Sequence, residues 1–189
     1  MKDSRLGTNL EKKYKIKKVE STHPKSLPEK TSAFLGFENQ CQQLLAHKLF
    51  DILEGVVAGA SEAISISGIA LFLKYLWHRA YMIVEEDIIA VAFLEKFVRN
   101  QTARRVQILN TKNIGTMLVV LVIVAMKSCR DKVCLNNFYA DEFQIPSAVL
   151  NQSETTFMKI IKNELYIGYS DYSQLFNEIM KVKDNKITN

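Results

Sequence analysis

Ten consecutive apolar residues, Met117 to Met126, run without interruption until Lys127 stops them. A membrane-spanning helix needs roughly 20 such residues, so this run is about half the required length. It reads as a helix buried on nearly every side inside a folded domain, with its last turn reaching the surface at Lys127. The segment that follows is polar as far as Asn136. A second helical pattern then places Leu150, Phe157, Met158, Ile161 and Leu165 at core spacing, with Glu154 one turn into it. A buried helix tipped by a cation and a flanking helix carrying an anion are thereby set to meet near the surface.

The remaining elements are read around that pair. Phe37 to about Ala60 carries a stripe of Cys41, Leu44, Leu45, Leu49, Ile52, Leu53, Val56 and Val57, with His47 off the stripe and read as a surface histidine. Ile64 to Tyr81 places Ile69, Phe72, Leu73 and Leu76 inward and Lys74, His78 and Arg79 outward, and Trp77 is read as a core or groove residue. Glu85, Glu86 and Asp87 open the next helix, where acids suit the positive end of the helix dipole, and Arg99 suits the other end. Its buried stripe is Ile89, Ala92, Phe93 and Phe97. Asn110 or Thr111 is expected to cap the central helix, and Ser147 the one carrying Glu154. A short helix is expected around Asn137 to Phe143, and a last amphipathic one from Tyr169 to Val182. Seven Gly and three Pro in 189 residues favour helices over a sheet sandwich. The expected fold is therefore all-α.

Charge is unevenly distributed. Residues 1–30 hold nine Lys or Arg against four acids, and the remainder of the chain holds sixteen of each. The body is neutral, and the basicity belongs to a tail such as Glu11 to Lys18, EKKYKIKK. That tail is expected to be a solvated arm, with nucleic acid, anionic lipid or an acidic protein as possible contacts.

Function classes are narrowed mainly by exclusion. There is no glycine-rich phosphate loop, no HExxH, no GxSxG and no Cys-His pair in a motif, so catalysis has no support. Three cysteines, Cys41, Cys129 and Cys134, fit neither a CxxC pair nor a zinc site, and suit a reducing compartment, cytoplasmic or nuclear. No cofactor or metal is expected. Arg104 and Arg105, and the paired acids Asp141 with Glu142 and Glu85 with Glu86, are explained by solvation. Lys127 and Glu154, on spacing alone, are a surface ion pair worth under about 1 kcal/mol or two unrelated solvated charges.

The order of elements from about Ile64 to Lys181 resembles a cyclin box, the five-helix fold of cyclins, and is most similar to the single-box Pho80-type, or P/U-type, group. The resemblance is carried by LVIVAMKSCRD, NNFYADEF, IPSAVLNQSETTFMKIIKNELYI and YSDYSQLFNEI. It implies a cyclin box over 64–182; polarity and periodicity set beside it a basic arm (1–33), an N-terminal helical extension (34–63) without a counterpart in the family, and a short tail (183–189). It also implies a non-catalytic subunit that binds and activates a cyclin-dependent protein kinase. Lys127 and Glu154 match the central-helix Lys and fifth-helix Glu that bracket the kinase C-helix in such cyclins. Met158, Asn163 and Leu165 fall at kinase-facing positions, although Asn163 replaces the usual aromatic residue. Ser128, Cys129 and Arg130 replace acids that often follow the central Lys, and the MRAIL-type docking sequence is missing from the Ile64 to Tyr81 helix. The rival expectation is a cyclin-fold adaptor in a larger assembly, contacting other subunits through the basic arm, with no kinase attached.

Overall fold

The computed structural model describes residues 32–181, and within them every regular element is a helix. In chain order these are α1 (Ser32–Val56), α2 (Ala60–Ala63), α3 (Ile66–Arg79), α4 (Val84–Ala103), α5 (Ile114–Cys129), α6 (Asn136–Phe143), α7 (Ser147–Ile160) and α8 (Tyr169–Lys181). Residues 1–31 of the expected arm and all of the expected tail lie outside the described residues.

The run Met117 to Met126 is buried at every position, and it lies in α5 as its composition requires. No helix among the described residues is long and apolar enough to cross a membrane. α4 packs against α1, α5, α7 and α8. α1 also packs on α3 and α8, while α5 packs on α7, and α7 on α6. Phe97 of α4 stacks on Phe157 of α7 with ring centroids 5.0 Å apart and planes 6° from parallel. Such pairs add about 0.5–1.5 kcal/mol beyond the area they bury.

α1 belongs to the same core. Cys41, Leu45, Leu49, Leu53 and, just beyond the helix, Val57 are all buried, the inner part of the stripe its spacing predicted. Lys48 on its flank bonds Glu95 of α4 at 3.0 Å and Glu178 of α8 at 3.5 Å. Burial acts to lower the Lys48 pKa, yet the two carboxylates outweigh it and raise it. His47, placed on the surface by its spacing, is half-buried.

Helix ends depart from expectation in instructive ways. Ser65 caps α3 by accepting the Gly68 N–H at 3.1 Å. The cap of α5 is neither Asn110 nor Thr111 but Asn113, whose amide donates to the Ile108 carbonyl at 2.8 Å while its oxygen accepts from the Asn110 N–H at 2.9 Å. Asn110 instead stabilises the preceding turn by accepting the Lys112 N–H at 2.9 Å. Ser147 is the first residue of α7 and not its cap; Pro146 holds the cap position and makes no side-chain bond there.

α7 stops at Ile160, although the apolar spacing continues to Leu165. Lys162 and Asn163 are both in the left-handed region, with φ of 60° and 56°. The Asn163 N–H closes the helix on the Met158 carbonyl at 2.9 Å, a bond of the kind found in Schellman terminations. Asparagine tolerates that conformation far better than a bulky residue does. This gives a backbone reason for Asn163 at a position where the family pattern has an aromatic ring.

Candidate functional site

The C-terminal end of α5, the start of α6 and the middle of α7 converge on one polar cluster. Lys127 Nζ lies 2.6 Å from Glu154 Oε1 and donates to Asn136 Oδ1 at 3.0 Å. Asn136 Nδ2 in turn donates to Glu154 Oε2 at 2.6 Å and to Asn151 Oδ1 at 2.8 Å. The Lys127 side chain is 36% exposed and that of Glu154 19%, so the pair sits at the surface and is neither sealed in nor fully solvated. Burial of the whole preceding run fixes the α5 backbone, and Ser128 adds a bond to the Ala125 carbonyl at 2.7 Å. Leu150 and Phe157, both buried, fix α7.

An ammonium has three N–H donors, and two of them are spent here. The carboxylate accepts one bond on each oxygen and keeps lone pairs free. The cluster therefore offers one further donor and several acceptors side by side, which suits the exposed backbone groups of another chain's helix end. No group of His, Cys, Asp or Glu able to hold a metal occurs among the described residues.

The other positions named from the sequence are placed as follows. Met158 is one turn beyond Glu154 on α7, half-buried against the core. Asn163 is exposed in the turn after α7, and Leu165 is half-buried just past it. Asn136 was missed: nothing in its spacing from Lys127, nine positions, marks it as a partner of both charges.

A second cluster lies on the inner side of the same helix end. Arg130, the C-cap of α5, pairs through its guanidinium with both oxygens of Glu86 and donates to the carbonyls of Ala80 at 2.9 Å and Tyr81 at 2.8 Å. Its hydrogen bonds to Glu86 raise the Arg130 pKa. Glu86 also accepts the Ile83 N–H at 3.0 Å, which closes the first turn of α4. The reading of Glu85 and Glu86 as solvated acids holds for Glu85 and fails for Glu86, whose side chain is 1% exposed. Asp87 is buried too, and Trp77 Nε1 donates to its Oδ2 at 2.6 Å. Burial pushes the Asp87 carboxyl up to about 8 against the pull of the Trp77 bond, and the nearby Glu86 charge adds to the rise. Among the other acids read as solvated, Asp141 is exposed and Glu142 pairs with Arg79 at 3.4 Å.

The chain is thus an all-helical bundle with a cation and an anion bridged at the junction of α5, α6 and α7. The model of the Cyclin family matches residues 4–165, most of the chain, and the chain belongs to that family. No curated protein and no solved structure matches it. Members of the family are in general regulators without catalysis of their own, working with a kinase.

Proposed function

We propose that this chain is the regulatory subunit of a cyclin-dependent protein kinase, binding the kinase C-helix on the face around Lys127 and Glu154 and so activating it. The observation that carries the reading is the Lys127–Asn136–Glu154 bridge, a donor and acceptor held together at the surface where three helices meet. Met158 on the same helix as Glu154, with Asn163 and Leu165 just past its end, extends the contact. Within the family the sequence is most like the single-box Pho80-type cyclins, with residues 64–182 as the box and 34–63 as the extension. Residence is cytoplasmic or nuclear.

The mechanism is a shift of population. A kinase samples arrangements in which its own Lys-Glu pair is formed or broken. A subunit that binds only the C-helix position of the formed state raises the share of that state by its difference in affinity for the two. Activation needs no group on this chain to touch substrate.

The test is capture of interacting proteins on the tagged chain, with Lys127→Glu and Glu154→Lys made singly. Recovery of a cyclin-dependent kinase by the wild type, with loss of at least ten-fold in each variant at unchanged helicity, supports the reading. Capture of no kinase, or equal capture by the variants, removes it. Native mass spectrometry of the captured complexes separates a kinase pair from the adaptor role in a larger assembly.

A further inference from the structure

We infer that the corner where the chain enters α6, Leu135 with Asn136, is part of the same binding surface: Asn136 as the positioning residue of the charged pair, Leu135 as an apolar contact for the partner helix. The inference rests on the kinase reading and adds two residues: Leu135, outside the stretches that carry the resemblance, and Asn136, which opens NNFYADEF and to which neither spacing nor resemblance gives a role.

The case for Asn136 begins with the weakness of a bare surface pair. Two long charged side chains at a protein surface lose rotamer freedom on pairing and gain little from it in water. A bridging amide changes that, because one end accepts and the other donates. The Asn136 oxygen takes the Lys127 ammonium at 3.0 Å, and its nitrogen gives to Glu154 at 2.6 Å and to Asn151 at 2.8 Å. The opposite amide orientation sets donor against donor at Lys127 and acceptor against acceptor at Glu154, so the charges themselves fix the Asn136 rotamer. Asn136 is the first residue of α6, and the Phe138 N–H bonds the Leu135 carbonyl at 3.0 Å, so the backbone at this corner is held as well. The pair thus meets a partner already oriented, which removes much of the ordering cost of binding.

Leu135 stands beside it with 77% of its surface in water, the most exposed of the large aliphatic residues of the described chain. Singly exposed leucines are ordinary on protein surfaces. This one is the immediate chain neighbour of the residue that bridges the site. Binding surfaces combine apolar contacts with polar groups that fix register. A kinase helix that bonds Lys127 and Glu154 through its backbone needs an apolar seat for its side chains, and an amphipathic helix supplies the complementary face.

Two measurements test it, one of them free of any partner. The first is the rate at which acetic anhydride acylates Lys127 in the isolated full chain, read by mass spectrometry with exposed Lys112 as internal standard. In Asn136→Ala, Lys127 is expected to react several-fold faster with Lys112 unchanged. Asn136→Asp, which keeps the acceptor for Lys127 and loses the donors to Glu154 and Asn151, serves as second variant should the first fail to fold. The second measurement is the affinity for the recombinant form of whichever kinase the wild type captures. Asn136→Ala is expected to lower it ten-fold or more; Leu135→Ser is expected to lower it at least five-fold with melting temperature and Lys127 acylation unchanged. Unchanged acylation in the Asn136 variants, or wild-type affinity in both Asn136→Ala and Leu135→Ser, overturns the inference. Faster acylation in a chain whose wild type captures no kinase retires the kinase reading and the Leu135 contact, and leaves Asn136 as the residue that orders the pair.

Discussion

Lys127 and Arg130 are cations three positions apart at the end of one helix, and they pair with different helices, Lys127 with Glu154 of α7 and Arg130 with Glu86 of α4. Arg130 turns inward to Glu86, whose side chain is 1% exposed, and fastens the α3–α4 turn by two backbone carbonyls. Lys127 turns outward to Glu154, 19% exposed, through an amide that holds both at the surface. The inner pair has spent four of the five guanidinium donors, all of them on this chain's own groups. The outer pair keeps donors and acceptors free. The two cations are exposed to a similar degree, 26% and 36%, and it is the burial of the carboxylate partner, with two backbone carbonyls held as well, that separates a charge that maintains the fold from one available to a partner.

The sharpest way to break this contrast is to remove Arg130. Arg130→Ala leaves a buried carboxylate without its cation and two carbonyls without their donors. Loss of one partner of a buried pair costs about 3–5 kcal/mol. Urea unfolding followed by circular dichroism measures it. A loss below about 1 kcal/mol puts Arg130 among the surface charges and ends the distinction.

Asp87 sharpens the same comparison from the neighbouring position, because its burial comes with Trp77 and no cation. Its folded pKa, about 8, stands above the ordinary value of 3.8. Below pH 4 the carboxyl is protonated in folded and unfolded chains alike, and no penalty arises. Between the two values the folded chain holds a proton the unfolded chain has released, so stability falls as pH rises; above about pH 8 the dependence ends. The contribution from pH 6 to pH 7 is at most about 1.4 kcal/mol. Asp87→Asn is expected to flatten that slope. Trp77 is the only tryptophan, so its fluorescence should titrate near pH 8 in the wild type and not in the variant. An identical slope in both proteins shows that Asp87 is not the group being titrated.

Much of this contrast was hidden in the sequence. The α5 run was legible because ten apolar residues leave few alternatives, and the amphipathic stripes of α1, α3 and α8 were legible from periodicity; on α4 only Phe93 and Phe97 of the expected stripe are buried, because that helix also buries Ile88, Ala90, Val91 and Leu94 and leaves Ile89 and Ala92 half-buried. The outward pair was visible through spacing and family resemblance together. Glu86 was misread because an acid in the first turn of a helix already has a sufficient explanation in the dipole, and its partner lies 44 positions away. The end of α7 was missed because Lys162 and Asn163 enter the left-handed region without a glycine to announce it. Asn136 carries no periodic signal, since its importance comes from two side chains brought to it by different helices.

The smallest expected effect on stability is at Lys127, and it is the one that decides the outward half of the comparison. Lys127→Met keeps the apolar stem and removes the charge, while Glu154 retains its bond from Asn136. Exposed pairs contribute under about 1 kcal/mol, so urea unfolding should move by less than that. A double-mutant cycle of Lys127→Met with Glu154→Gln should give a coupling energy in the same range, far below that of a cycle on Arg130 and Glu86. The Lys127→Met chain should nonetheless lose capture of the kinase, because the donor it presented outward is gone. A coupling of 3 kcal/mol or more would instead make Lys127 a second structural cation, since a pair so strongly coupled within the fold has little left for another chain.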